Sequence, residues 1–393
     1  MERRMLSVFS AISLVSEMRA ATFRVFFSIY LKEEIGATYT QVGIIWMLMF
    51  VVNALFQIVW GWTSDRFARR KHFIILGEGI PAIVFLFIPG ISDIVVLTVV
   101  LVTLQVLWSM ASPVWKALIA EHSVPKERGT LIGKITTFGG IGAILGYYIV
   151  GDLISQYGYA YLFYFCSLCM FLSSSLAAFM DEPEGLQPYD QKLLSMQQVR
   201  ILSTEQRPFS LYTLLIFVVS FAFALFEAFI SLYIRELGGT IQQVGYVFIV
   251  GDGIATASMF PMGKLTDKMG RVEMLQICLV VRTIAVLLFA VAPVWWYLFL
   301  AVAVNGIGWS GYHVSSFAVL SSLTPREMRG TYMGFHSMVL TISRGGSSVG
   351  GSIADRFSLK SLFFSSFAIC ALLTILFINW LHKNKETIHQ SKN

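Results

Sequence analysis

Ionisable residues inside apolar segments are the groups of this sequence with the clearest capacity for chemistry. Glu17 and Arg24 are seven residues apart, so a helix would place them nearly on one face. Asp252 lies in the middle of another apolar segment, and Glu227 and Arg344 lie in two more. Charges at such positions predict one of two arrangements. One is a substrate and proton site in which a carboxylate gains and loses a proton, and the other is a set of static ion pairs between helices.

Aromatic side chains accompany these charges. Trp108 and Trp115 share one apolar segment, and Trp309, Tyr312 and His313 share another. Their rings could stack on a sugar, an aromatic compound or a lipophilic cation, or they could serve packing and interface anchoring. The histidine has no metal-ligand spacing, so we expect no metal. The sequence holds no catalytic triad and no phosphate-binding loop, and we expect no enzyme activity.

The composition decides which elements must hold these residues. Of 393 residues, 56% are hydrophobic and 13% are charged, whereas soluble domains carry about 25% charged residues. The formal charge of +6 suggests nucleic acid, but the basic residues are scattered between apolar segments and form no basic face. All four cysteines lie in apolar segments and are interpreted as packing thiols. The lipid bilayer is therefore the expected partner, and nucleic acid is not.

Apolar segments long enough to span a membrane occur twelve times. A polar stretch at 181–208 separates two sets of six, which predicts an N-terminal bundle at 1–180, a cytoplasmic central loop, and a C-terminal bundle with a short tail at 209–393. The segments are 7–31, 41–63, 72–91, 93–121, 129–152, 158–180, 209–234, 242–265, 272–292, 294–321, 330–354 and 359–381.

Lysine and arginine are distributed unevenly between the two sides of this topology. With a cytoplasmic N-terminus, nineteen of them fall on the cytoplasmic side and four on the outer side. Such a bias marks the cytoplasmic face. We therefore expect a multi-pass protein of the cell membrane with both termini cytoplasmic.

The two halves repeat one another. Gly61-Trp-Thr-Ser-Asp65-Arg-Phe-Ala-Arg69 matches Gly263-Lys-Leu-Thr-Asp267-Lys-Met-Gly-Arg271 at the same place in each half, between the second and third segments. Further on, Arg128-Gly129 matches Arg329-Gly330. The spacing stays close to 200 residues, so the sequence predicts one six-helix unit used twice in parallel orientation.

The duplicated G-x-x-x-D-[RK]-x-x-R pattern resembles the signature loop of the major facilitator superfamily. The first copy departs from the pattern at Ala68, where the second copy has the usual glycine, Gly270. The resemblance covers nearly the whole chain. It implies an all-α integral membrane protein of twelve helices in two pseudo-symmetric six-helix bundles, with a central cavity and alternating access by rocking of the halves.

In this family the first, fourth, seventh and tenth helices line the cavity. Arg24 aligns with Glu227 in the repeat, so opposite charges would occupy equivalent positions of the two halves. Glu78 and Arg282 fall on the peripheral third and ninth helices, where structural pairing or snorkelling is expected. The candidate substrate and proton cavity is Glu17, Arg24, Trp108, Trp115, Glu227, Asp252, Trp309, His313 and Arg344.

The signature loops are interpreted as a cytoplasmic gate. Their glycines would allow close backbone approach, and their aspartates would cap or pair with the arginines and latch the bundles together. Topogenic charge alone is the alternative. The candidate gating residues are Gly61, Asp65, Arg69, Glu121, Arg128, Gly263, Asp267, Arg271 and Arg329.

These patterns predict a monomeric secondary transporter of a small molecule that needs no cofactor and uses the proton gradient. Efflux of lipophilic compounds is slightly favoured by the aromatic residues. Two marks of proton antiporters are missing, because Leu101 stands where those proteins resemble one another in carrying arginine, and Gly146-Tyr147 replaces Gly-Pro. Uptake of a sugar or an organic anion is the alternative, and a non-transporting sensor is a remote one, since the loop and tail are too short to fold alone.

Overall fold

The computed structural model describes residues 3–384 except 68–69, 112–113, 116–117, 119–127, 181–206 and 325–328. Within this part of the chain the secondary structure is helical and contains no strand. The fourteen α-helices of the described residues are α1 (Arg3–Glu33), α2 (Tyr39–Phe67), α3 (Arg70–Phe85), α4 (Ile94–Trp108), α5 (Arg128–Tyr157), α6 (Ala160–Ala177), α7 (Arg207–Glu227), α8 (Ile230–Glu236), α9 (Ile241–Met269), α10 (Arg271–Val291), α11 (Leu298–Ser322), α12 (Arg329–Ser343), α13 (Gly346–Arg356) and α14 (Leu359–Lys383).

These helices match the twelve predicted segments in order. The first six segments correspond to α1 through α6, and the remaining six are α7 with α8, then α9, α10, α11, α12 with α13, and α14. The seventh segment is interrupted around Phe229 and the eleventh around Gly345, so each contributes two shorter helices. The predicted all-α fold of twelve helices is confirmed.

Eight of the described helical stretches are long and apolar enough to cross a membrane by length and composition. Two of the remaining segments depart for visible reasons, because α1 carries Glu17, Arg19 and Arg24, and α4 has 15 residues. Large apolar side chains are exposed along several helices, for example Phe171 at 61% and Phe260 at 71%. Lipid, rather than water, suits such a surface.

The chain divides into two compact units. The first consists of residues 1–37, 48–193 and 240–249, and the second of 38–47, 194–239 and 250–393. The first turn of α2 belongs to the second unit, where the amides of Tyr39 and Thr40 donate to the Asp355 carboxylate at 2.9 and 2.7 Å. The first turn of α9 belongs to the first unit, where Gln242 donates to Asp152 at 2.7 Å. The predicted central loop, 181–208, lies almost wholly outside the described residues.

Glycines bring helices into close contact at equivalent places in each unit. In the first, a Cβ on Gly142 of α5 would overlap the backbone carbonyl of Leu14 on α1. In the second, a Cβ on Gly346 of α13 would overlap the carbonyl of Phe221 on α7. The two glycines are 204 residues apart. Small residues at helix contacts are what membrane helices use to approach closely, so the glycine run of α5 serves packing of the α1–α5 contact.

We expect Gly142→Ala to destabilise the protein by about 1–3 kcal/mol, because the added methyl group forces two backbones apart. Gly133→Ala is the matched control on the same helix, since a Cβ there meets no atom within 4 Å among the described residues. Thermal unfolding of both variants in detergent, followed by fluorescence-detected gel filtration, measures the difference. Equal melting temperatures would show that the α1–α5 contact yields without cost.

Candidate functional site

A pocket of about 220 Å³ lies inside the first unit, bounded by α1, α3, α4 and α6. Its described lining holds two carboxylates and one guanidinium, together with indole rings and serine hydroxyls. The formal charge of these described residues is therefore −1. The lining residues are Ile12, Ser13, Ser16, Glu17, Arg19, Ala20, Ile74, Glu78, Trp108, Ala111, Trp115 and Ser173.

A buried ion pair forms the inner wall of the pocket. Arg19 Nη2 of α1 lies 3.2 Å from Glu78 Oε1 of α3, and the side chains are 7% and 4% exposed. Charges this deep are stabilised only by partners, because water is a far better solvent for them than the protein interior. The pair therefore ties α1 to α3 at the level of the pocket.

Trp108 of α4 completes this wall. The Arg19 guanidinium carbon lies 4.2 Å from the centroid of the indole ring, within the range of a cation–π interaction. Phe23 meets the same indole edge-on at 5.6 Å. Several polar atoms of the cluster have no hydrogen-bond partner in the described protein: Arg19 Nε and Nη1, Glu78 Oε2 and Trp108 Nε1. Within the described protein the cluster therefore holds three donors and one acceptor that are buried and unsatisfied.

Glu17 forms the outer part of the pocket. Its carboxylate lies 4.0 Å from Arg24 Nη2, and both side chains are 48% exposed. Gly139 of α5 makes room for it, because a Cβ there would come within 3.0 Å of Glu17 Cγ. The structure therefore brings together the two charges whose spacing on the helix suggested a common face, and it leaves their carboxylate accessible.

The second unit contains a related cluster. Arg282 of α10 is 4% exposed, and its Nη2 lies 3.1 Å from Glu227 Oε1 at the end of α7. The guanidinium carbon lies 3.7 Å from the ring centroid of Phe223 and 5.0 Å from that of Tyr312 on α11. The Glu227 side chain is 44% exposed. This carboxylate is accessible, unlike that of Glu78.

The two clusters occupy the same four positions of the internal repeat. Counterparts are 204 residues apart in every case, and each set has one arginine, one glutamate and two aromatic rings. The charged residues exchange places, so the arginine lies on the first helix of one half and on the third helix of the other. The pairs are Arg19 with Phe223, Phe23 with Glu227, Glu78 with Arg282, and Trp108 with Tyr312. Glu227 is thus the counterpart of position 23, one residue before Arg24.

Four of the other predicted cavity residues, Asp252, Trp309, His313 and Arg344, do not line the first-unit pocket. Asp252 is partly buried in α9, and Arg344 is exposed between α12 and α13. Trp309 and His313 are stacked on each other on α11, with ring centroids 5.2 Å apart. Trp115 lines the pocket with Trp108. The described residues include no cluster of histidine, cysteine and carboxylate side chains that could hold a metal ion.

The predicted gate is described only in part. Arg69 and Glu121 lie outside the described residues, as do the side chains of Asp65, Arg128 and Arg329. Gly61 is partly buried near the end of α2, and its carbonyl accepts a hydrogen bond from Ser64 at 2.9 Å, while Ser64 accepts one from Arg70 at 2.8 Å. In the second copy Asp267 is exposed and Arg271 is partly buried.

The glycines of the second signature loop differ from expectation in one respect. A Cβ on Gly263 would meet no described atom within 4 Å, so the close backbone approach expected there is absent in this conformation. Gly270 has φ = 103°, a value that residues with a Cβ rarely adopt, and it lies directly before α10. The repeat-equivalent Ala68 lies outside the described residues.

Gly270→Ala is expected to destabilise the protein by about 1–2 kcal/mol, because the left-handed backbone is strained for alanine and the new Cβ meets the Glu273 carboxylate. Gly263→Ala, seven residues away in open space, is the control. Thermal unfolding in detergent compares them. If Gly263→Ala destabilised the protein as much as Gly270→Ala, the backbone conformation at Gly270 would not be the cause.

Three functional candidates escaped the sequence reasoning. Arg19 received no role, and Glu78 and Arg282 were assigned to pairing or snorkelling on peripheral helices. The structure does pair the latter two, but with partners on α1 and α7 and beside aromatic rings. The constant spacing of 204 residues, applied to charged and aromatic residues together, is the signal that would have connected them.

A six-helix unit used twice, with a polar pocket inside one copy and an apolar exterior, defines a membrane transport protein. The model of the MFS_1 like family matches residues 19–365, which is most of the chain. The chain therefore belongs to this family of the major facilitator superfamily, as its signature loops predicted.

The relatives with assigned names include both a permease and an efflux pump. The chain is 25% identical to the maltose permease of Geobacillus stearothermophilus over 93% of its own length and 91% of that protein. It is also 25% identical to the multidrug resistance efflux pump PmrA of Streptococcus pneumoniae, over 88% of each chain. Direction of transport does not follow from these likenesses.

Solved structures share the fold at low sequence identity. The crystal structure of the nucleoside transporter NupG superposes with a TM-score of 0.83 at 12% identity, over 95% of this chain and 98% of that one. A bacterial homologue of the human lysosomal transporter Spinster superposes with a TM-score of 0.74 at 14% identity, over 98% and 96%. These likenesses establish the fold alone.

Proposed function

We propose that the protein exports lipophilic organic cations in exchange for protons. The observation that carries this proposal is the pocket of the first unit, where the accessible Glu17 carboxylate and two indole rings line one cavity and the described lining residues have a formal charge of −1. A carboxylate attracts a cationic centre, and indole faces bind both the charge and the flat apolar body of such a compound.

Coupling to protons is part of the proposal because a carboxylate of the pocket can bind either a cation or a proton. A cation and a proton compete for a negative charge, so binding of one favours release of the other. Such competition is the minimum requirement for exchange. No bound cofactor is needed, because the proton gradient supplies the energy.

Uptake of a neutral polar metabolite is the second candidate. Ser13, Ser16 and Ser173 bring hydroxyls to the pocket, and sugars bind to hydroxyls and indole faces. These hydroxyls are already engaged: Ser13 donates to the Ile135 carbonyl at 2.9 Å, and Ser16 pairs with Ser173 at 3.1 Å. Ser13 already donates its proton and can only accept from a ligand, whereas the accessible Glu17 carboxylate offers a negative charge that suits a cation better than a sugar.

Proteoliposomes with an imposed pH gradient separate the candidates. Exchange predicts that ethidium accumulates when the interior is acidic, because protons leaving the vesicle drive the cation inward. Uptake by proton symport predicts instead that radiolabelled maltose accumulates when the exterior is acidic. Ethidium accumulation without protein sets the baseline. Accumulation of the sugar and not of ethidium would replace export by the second candidate.

The placement of the chain in its membrane is part of the proposal. The excess of lysine and arginine on one side supports a cell-membrane protein with both termini cytoplasmic. The pocket lies wholly within one unit of one chain, which supports a monomer as the working form.

A further inference from the structure

Glu78 is the more buried of the two carboxylates in the pocket, and the proposed binding of a cation at the exposed Glu17 carboxylate gives it no role. Glu78 is 3% exposed and lies on α3, where it faces Arg19 across the pocket wall. Oε1 binds the guanidinium at 3.2 Å, whereas Oε2 has no hydrogen-bond partner in the described protein. A carboxylate that served only to pair with Arg19 would need neither a cavity beside it nor an oxygen without a hydrogen-bond partner.

The groups around Glu78 leave Arg19 as its main charged partner. Among the described residues, α1 brings Glu17 and Arg19 to the pocket beside Glu78. The helices packed against α3 are α6, which contributes the thiols of Cys166 and Cys169, and α4, which has no charged residue over Ile94–Trp108. The thiols are buried. Motion of α1 relative to α3 would therefore change the charge balance at Glu78 mainly through the distance to Arg19.

We infer that Glu78 is the residue that binds the transported proton. This inference rests on the proposed exchange and names the proton site within it. A proton entering through the pocket adds to Oε2, which converts the carboxylate to a neutral acid, while Arg19 keeps its own protons. A close Arg19 guanidinium favours the ionised carboxylate and release of the proton, and a longer distance between the two groups lets burial favour the neutral acid.

The counterpart cluster supplies the contrast. Glu227 is 44% exposed beside Arg282, so this ion pair is not enclosed. Glu78 and its partner are both enclosed. Of these two pairs, the enclosed one makes the charge of the carboxylate strongly dependent on the distance between two helices.

Infrared difference spectroscopy of the reconstituted full-length protein tests the proton site without any substrate. Stepping the pH should produce the C=O stretch of a buried carboxylic acid. The band should disappear in Glu78→Gln and persist in Glu227→Gln. A band that survives in Glu78→Gln, or no titrating band in the unaltered protein, overturns the inference.

Transport of ethidium tests coupling. In Glu78→Gln, accumulation driven by a pH gradient should fall by about tenfold or more, while exchange of internal for external ethidium without a gradient continues, because the amide resembles the protonated acid. Asp93→Asn is the control, since Asn also caps helices and Asp93 caps α4 at the surface. Gradient-driven accumulation equal to that of the unaltered protein contradicts the inference.

Two further outcomes separate folding and function from the proton site. If Glu78→Gln does not fold, the double variant Arg19→Gln/Glu78→Gln removes both charges, and its infrared spectrum should lack the same band. If the unaltered protein moves no ethidium under either gradient, the proposed export is overturned. A titrating band lost with Glu78 would still establish the proton site in that case.

Discussion

Glu78→Leu is expected to lower the free energy of unfolding by about 3–5 kcal/mol, because it leaves Arg19 buried without a counter-charge. Arg19 is 6% exposed, and two of its nitrogens already have no hydrogen-bond partner in the described protein. Its remaining contact would be the face of Trp108. A cation–π contact of about 2 kcal/mol or less does not replace an ion pair in a low-dielectric interior.

Denaturant titration in detergent micelles, followed by circular dichroism, measures this loss. The double variant Arg19→Met/Glu78→Leu should recover most of the stability, because two apolar side chains of similar volume need no counter-charge. Glu17→Leu is the control, since both members of its ion pair are 48% exposed and such pairs contribute about 1 kcal/mol or less. A double variant as unstable as Glu78→Leu alone would show that the loss arises from packing.

Glu17→Gln is expected to reduce ethidium transport by about tenfold or more, because it removes the accessible negative charge of the pocket. Arg24→Gln should act in the opposite direction and strengthen ethidium binding. The Arg24 guanidinium lies 4.0 Å from the Glu17 carboxylate and competes with a cationic ligand for it.

Ethidium fluorescence on binding to purified protein, and accumulation in proteoliposomes, report the two variants together. Glu33→Gln is a control on the same helix, because Glu33 lies near the end of α1 and accepts a hydrogen bond from Tyr159 at 2.6 Å. Opposite signs for Glu17→Gln and Arg24→Gln identify the exposed pair as the cation site. Equal losses in both would indicate that the pair acts by holding α1 in place.

The architecture was readable from the sequence because lipid imposes simple rules. Spans of about 20 apolar residues, the lysine and arginine bias and the repeated signature loop each depend on local composition. The break at Phe229 was not readable, since apolar residues continue on both sides of it. The break at Gly345 follows Arg344 in a run of serines and glycines, which the division into spans did not interpret as an interruption. Where a helix breaks depends on the neighbours that replace its lost hydrogen bonds.

The site was predictable only in part. Glu17 and Arg24 share a helix, so their common face followed from helical geometry. The pairs of Arg19 with Glu78 and of Arg282 with Glu227 join different helices, and partners across helices depend on rotation and tilt. An arginine lies on the first helix of one half and on the third helix of the other. An alignment that matches residues of the same type therefore does not detect that the two clusters correspond.

The shape of the arginine side chain, and not its charge alone, suits it to positions 19 and 282. Arg19 and Arg282 each hold the guanidinium carbon over an aromatic ring, at 4.2 and 3.7 Å from the centroid, and one nitrogen beside a carboxylate. A lysine ammonium is compact and has no separate face and edge, so it could satisfy the ring or the acid at that position but not both. Lysine at either position would preserve the net charge of the chain and still lose one of these two contacts, either that with the ring or that with the carboxylate.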